Sequence, residues 1–131
     1  MKIIVDTNVL VRAVVQDDRQ QARTAEKVLR EAAIIAVALP SLCEFVWVLR
    51  RVYDIAPADI AASVRALLDT SNLVVNRPAA EAGLEMLEAG GDFADGVTAY
   101  EGRWLGGETF VSFDKEAVAL LLEQGQMATL L

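Results

Sequence analysis

Apolar residues occur along this chain both as short runs and as helical stripes, and the two alternate. KIIVD at 2–6 is short, rich in β-branched residues and ends in an acid, which predicts a strand. Asp6, Thr7 and Asn8 are three helix-capping residue types in a row, so a helix over roughly Asn8–Val15 is expected next. Asp17 and Asp18 open a second helix, DRQQARTAEKVLREAA. IIAVALP reads as a second strand, closed by Pro40, and a strongly apolar helix runs from Ser41 to about Tyr53. Pro57-Ala58-Asp59 starts another helix, and LVVN is a third strand. Pro78 sits in the first turn of AAEAGLEMLEAGG, which Gly90-Gly91 ends. Asp92 begins the helix FADGVTAYEGRWLGG. TFVSFD is a fourth strand, EAVALLLEQG a last helix, and MATLL a last short strand. Helices alternate with strands that are apolar throughout rather than at every second position. This indicates an α/β three-layer sandwich around a mainly parallel sheet. No linker, repeat or low-complexity segment interrupts it.

Composition narrows the chemistry. With 131 residues the chain is expected to form one domain over 1–131. Apolar residues at 54% and charged residues at 24% exclude a disordered protein. No apolar run approaches the ~18–20 residues of a membrane span. The start, MKIIVDTNVL, lacks the features of a signal peptide. Cys43 is the only cysteine, so no intrachain disulfide forms and a cytoplasmic protein is expected. There is no histidine. That removes Ser-His-Asp and Cys-His catalysis and every His-ligated zinc site, leaving chemistry to carboxylates. The net charge of −7 argues against broad nonspecific nucleic-acid binding but not against an acidic, metal-filled site with a local basic rim. A mean hydropathy of +0.35 and long apolar helices suggest a homodimer.

Five acids fall in special places. Asp6 ends the first strand and Asp114 the fourth, and parallel sheets place their sites at strand carboxyl ends. Both are therefore expected at one edge of the sheet. Asp92 and Asp95 lie three apart at a helix start and share a face. Glu44 stands in SLCEFVWVL among apolar neighbours, and its i−4, i−3, i+3 and i+4 positions (Pro40, Ser41, Trp47 and Val48) supply no charge, so this is a costly place to bury one unless a cation meets it. Singly, Asp6, Asp92 and Asp114 read as helix caps, Asp95 as a first-turn acid, and Glu44 as a side chain reaching solvent or a distant Arg. Together, without histidine, they suit a hard divalent cation such as Mg²⁺ or Mn²⁺, which relieves the mutual repulsion of clustered carboxylates. Such an ion activates water for phosphodiester hydrolysis. Arg12, Arg50, Arg51, Arg103 and Lys115 are candidate cations for an RNA path, against helix-end charges and a solvated Lys. Trp47 and Trp104 are expected in core or dimer packing rather than stacked on bases, and Cys43 as a small core residue.

IIVDTNVLVR, the isolated Glu in PSLCEFVWVLRR, GDFADGVTAY and TFVSFDKEAV, in that order, resemble the PIN-domain ribonucleases, and more narrowly the VapC-type toxins of bacterial toxin–antitoxin pairs. The resemblance implies a PIN-like α/β/α sandwich and a Mg²⁺- or Mn²⁺-dependent endoribonuclease. By the same resemblance Asp6, Glu44, Asp95 and Asp114 are the catalytic, metal-binding acids, with Asp92 as an additional ligand. Asn8 and Ser112 resemble the polar residues that line such sites. The resemblance further implies a homodimer and a cognate VapB-like antitoxin lying across the toxin groove. Gly96-Val97-Thr98-Ala99-Tyr100 stands where that family tends to carry small and aliphatic residues, and Gly96 is expected to loosen the helix.

Two other readings compete. A receiver- or phosphatase-like phosphoryl-transfer domain would want an acidic neighbour beside Asp6 or an acid at position 8, where Asn8 stands. A non-catalytic binding module would use the acids only as caps.

Overall fold

A computed structural model describes all residues, 1–131. It contains seven helices and five short strands, and every strand pairing is parallel. The mixed α/β class is the one the apolar runs predict. The chain divides into two compact units, Met1–Arg77 and Pro78–Leu131.

The first unit carries a three-stranded sheet of β1 (Lys2–Ile4), β2 (Ile34–Ala36) and β3 (Leu73–Val74), in that order, with Ile3, Ile35 and Leu73 in register. Four helices accompany it: α1 (Thr7–Val14), α2 (Arg19–Glu31), α3 (Leu39–Arg51) and α4 (Pro57–Leu68). Each start follows from its sequence. Asp6 caps α1 by accepting from the Val9 amide at 3.1 Å, and Asp18 caps α2 by accepting from the Gln21 amide at 3.0 Å. The helices α3 and α4 lack side-chain caps and have Pro in their first turn instead. Pro40 therefore opens α3 rather than closing β2. Its missing N–H is one that a first turn leaves unpaired anyway, and its fixed φ already suits a helix. Leu42, Phe45, Val46 and Leu49 form the buried face of α3, beside Leu10 and Val11 of α1 and Ile60 and Val64 of α4. Asn72 donates to the carbonyls of Leu29 and Ala32 at 3.0 and 2.9 Å, fastening the end of α2 to the approach to β3.

The second unit takes in most of α5 (Arg77–Glu88), then α6 (Phe93–Trp104), β4 (Phe110–Ser112), α7 (Lys115–Glu123) and β5 (Ala128–Leu130). Here β4 and β5 pair with Phe110 opposite Ala128, so β4–α7–β5 is a compact βαβ unit. Met86, Ala99, Ala117 and Leu121 make its core, covered by Phe110, Leu120 and Ala128. The hydrogen-bonded ladders are β1–β2–β3 and β4–β5, parallel throughout. Asp6 follows β1 in the first and Asp114 follows β4 in the second.

Gly90 and Gly96 position the acids of this unit. Gly90 has φ +97° and ends α5 with paired bonds from the Gly90 amide to Leu87 and from the Gly91 amide to Met86. This left-handed closure reverses the chain just before Asp92. Gly96 lies buried in α6 where that helix meets α5, and a Cβ there would stand 2.4 Å from the Ala82 carbonyl oxygen. The expectation that Gly96 loosens the helix is therefore corrected. Its lost propensity is exchanged for close backbone contact between two helices.

Candidate active site

In the first unit, Val5 is buried and turns the chain so that Asp6 emerges exposed at the carboxyl end of β1. Thr7, the one buried polar residue of the chain, lies next to it. Its Oγ1 donates to the Ser41 carbonyl at a long 3.4 Å, tying the start of α1 to the first turn of α3. Glu44 lies one turn further along α3 and is exposed. Of the readings open for Glu44, the side chain that reaches solvent is the one formed, and no charge is buried there. Its apolar neighbours in sequence point to the opposite side of an amphipathic helix. Asn8 is exposed beside Asp6, and both border a groove of about 570 Å³ between α1 and α2.

That groove also contains Asp18, Gln20, Gln21 and Thr24, which sequence reasoning did not single out. The signal was present: Gln21, Thr24, Ala25 and Val28 recur at helical spacing on one stripe of α2. A second unforeseen feature is a network around Arg12. Its guanidinium donates to Asp17 and, at 3.1 Å, to the Tyr53 hydroxyl, which itself donates to Asp17 at 3.0 Å. The Tyr53 hydrogen bond leads the effects that raise the Arg12 pKa. For Asp17, partial desolvation acts upward, but the Tyr53 and Arg12 contacts outweigh it and hold the carboxyl below its ordinary value. Arg12 is thus engaged in joining α1 to the end of α3.

In the second unit Asp92 caps α6, accepting from the Ala94 amide at 3.1 Å. Asp114 caps α7, accepting from the Glu116 and Ala117 amides at 3.0 and 3.1 Å. Ser112 shapes the approach by accepting from the Asp114 amide at 2.9 Å. The caps predicted at Asp6, Asp92 and Asp114 are all formed, and each uses only Oδ1. Asp95 differs. It lies half-buried in the first turn of α6, with neither a hydrogen-bond donor nor a cation on its carboxylate. Burial first, then the negative charges of Asp92 and Asp114, raise its pKa above the ordinary aspartate value. Asp92 and Asp114 thus both act on Asp95 within one unit. The structure groups no three acids as a ready-made ion site.

The donor chemistry nevertheless fits a hard cation. The acids offer carboxylate oxygens only, and a positive charge beside Asp95 relieves a repulsion that nothing in the protein answers. Of the candidate cations, Arg103 is engaged with Gln126, whereas Arg50, Arg51 and Lys115 are exposed. Trp47 and Trp104 are 58% and 77% exposed, which corrects their expected place in the core, and Cys43 is only half-buried. No helix is long and apolar enough to cross a membrane.

A family model described as "PIN domain" matches residues 3–119. No curated protein matches the chain.

Proposed function

The chain belongs to the PIN-domain family, generally metal-dependent nucleases, and from that premise we propose that it is a Mg²⁺- or Mn²⁺-dependent endoribonuclease acting in the cytoplasm as the toxin of a type II toxin–antitoxin pair. The family match runs across both compact units, which supports reading 1–131 as one PIN domain. The observation that carries the site is Asp95. A half-buried carboxylate facing two like charges and no donor is poorly explained as a structural residue, and well explained as a ligand.

In this reading Asp6, Glu44, Asp95 and Asp114 hold the ion, and Asp92 is a further donor. When bound, a divalent cation supplies Lewis-acid stabilisation of the phosphoryl oxygens and an acidified water for attack on phosphorus. The protein's own part is placement. Capping bonds through Oδ1 fix the Asp6, Asp92 and Asp114 carboxylates and leave each Oδ2 without a protein hydrogen bond. The close contact at Gly96 fixes the helix that carries Asp95. Asn8, exposed beside Asp6, orders water or substrate there.

The VapC-type assignment rests on the resemblance of the four acid-bearing segments. With it come a cognate VapB-like antitoxin and a homodimer. Exposed apolar side chains such as Leu105 and Phe113 support a protein partner.

The test is cleavage of total tRNA and of a generic single-stranded RNA, with Mg²⁺, with Mn²⁺ and with chelator. Metal-dependent cleavage by the wild type, lost in Asp6→Asn and Asp95→Asn, is expected. Cleavage that survives either substitution would remove that acid from the site. A folded protein that neither cleaves RNA nor binds either ion by titration calorimetry would instead be the non-catalytic module, its acids serving only as caps.

A further inference from the structure

The exposed side of α3 carries a pattern that helix stability does not explain. Glu44, Trp47 and Arg51 are spaced i, i+3 and i+7 and so share one face, with Arg50 at its border. All four are exposed, and the face opposite is the packed one of Leu42, Phe45, Val46 and Leu49. A tryptophan on a solvent face satisfies no core, and α3 already buries a complete stripe without it. Neither Arg50 nor Arg51 forms an ion pair, in a chain where cations are outnumbered 12 to 19. At the usual rise, Trp47 lies about 4.5 Å and Arg51 about 10.5 Å along the axis from Glu44. A candidate metal-ligating acid, an open aromatic surface and free guanidiniums thus follow one another along a single rigid element.

We propose that this face of α3 is a base-stacking subsite for single-stranded RNA, in which Trp47 stacks on an unpaired base flanking the scissile phosphate and Arg51, with Arg50, holds the backbone phosphate beyond it. This rests on the nuclease reading above and adds to it the residues that bind substrate. A polyanion is the occupant that charge complementarity selects on the C-terminal side of Trp47, where the free charges are the Arg50 and Arg51 guanidiniums, while Glu44 on its other side is the candidate metal ligand. Stacking further selects a single strand or loop, because the bases of a duplex are already stacked on one another. Stacking on an aromatic side chain contributes ~1–3 kcal/mol per base, or roughly 5- to 150-fold in affinity.

The chain has two tryptophans, so Trp104→Phe leaves Trp47 as the sole indole reporter. This protein is titrated with a short mixed-sequence oligoribonucleotide in chelator, so that binding is read without cleavage. Saturable quenching of Trp47 emission is expected, with a duplex of the same sequence competing poorly. Trp47→Leu, otherwise wild type and followed by a fluorescently labelled strand, is expected to weaken binding at least about fivefold, and to raise KM for cleavage with kcat held. Trp47→Phe should restore most of the affinity. Arg51→Gln, which leaves the core untouched, should lower the slope of log affinity against log salt by about 1. A Trp104→Phe protein that cleaves RNA while Trp47 emission stays constant, or a Trp47→Leu protein with unchanged KM, would overturn the subsite and leave the nuclease standing. A wild type that binds RNA but cleaves none would instead count against the nuclease reading. Loss of a dimer on Trp47→Leu with RNA affinity intact would assign the face to a second copy of the chain and overturn the proposal.

Discussion

Asp95, Asp92 and Asp114 separate two demands that a single aspartate can serve, holding a helix and holding a charge. Asparagine caps a helix about as well as aspartate. Asp114→Asn should therefore leave thermal unfolding nearly unchanged while cleavage falls by at least about a hundredfold, the scale expected when metal stabilisation of several kcal/mol is impaired. Asp114→Ala should lose the cap as well and unfold about 0.5–2 kcal/mol more easily in denaturant. Asp95 should behave in the opposite sense. Its pKa is raised in the folded protein, so in the absence of metal the native state holds the proton more tightly than the unfolded chain. Stability then falls as pH rises from the ordinary aspartate value of about 3.9 through the raised one. Removing the charge with Asp95→Asn should raise the melting temperature of metal-free protein at neutral pH, and the gain should vanish as the pH falls below about 4. The same variant should be inactive. An unchanged melting temperature at both pH values would show that Asp95 is not strained by its neighbours.

Among the elements, the helix pair α5 and α6 shows where sequence reading succeeds and where it stops. Every strand and helix was legible from apolar runs, helical stripes and capping residues, and Gly90-Gly91 marked the end of α5 correctly. What misled was context. Pro40 reads from the sequence as the close of the second strand, yet it stands in the first turn of α3, where its missing N–H breaks nothing. Linear neighbours leave burial and exposure both open for Glu44, because a helix spreads those neighbours around its axis, and the structure takes the exposed one. Gly96 was read by propensity alone. Propensity predicts that Gly96→Ala stabilises α6 by about 1 kcal/mol, whereas the contact geometry reverses the sign. The new methyl would meet a backbone carbonyl that cannot swing aside, so a loss of about 1–3 kcal/mol is expected. Chemical denaturation of the single variant decides between the two. The Arg12–Asp17–Tyr53 network was not legible at all. Tyr53 lies 36 and 41 positions from its partners, and only the fold brings them together.

For the whole molecule, the family model and the carboxylate chemistry meet in one expectation about stability. An ion that binds the native state and not the unfolded chain stabilises it by mass action, by about 2.7 kcal/mol at a hundredfold excess over Kd. For a chain of this size that corresponds to a rise on the order of 10 °C in Tm. Mn²⁺ or Mg²⁺ should produce it in the wild type and chelator should reverse it. Asp6→Asn and Asp95→Asn, one in each compact unit, should each diminish it. An ion effect that persisted in both variants would place the cation elsewhere. The sequence exposed the acids that such an ion would use, because strand ends and helix starts are local features. It did not show that the strands form two ladders, because pairing partners are chosen by the fold and not by any one segment.

The use of Oδ1 alone at the three capped acids also bears on how such a protein loses its activity over generations. Where a catalytic group is also a core group, disabling it usually costs the fold, and the disabled chain is degraded. Here aspartate and asparagine are interchangeable to the helix and opposite to the cation. With the ion held as proposed above, a folded yet silent copy lies one substitution away at Asp6, at Asp92 and at Asp114. Among spontaneous inactive variants that still accumulate at normal levels, asparagine at these positions should outnumber alanine beyond what codon changes alone would produce.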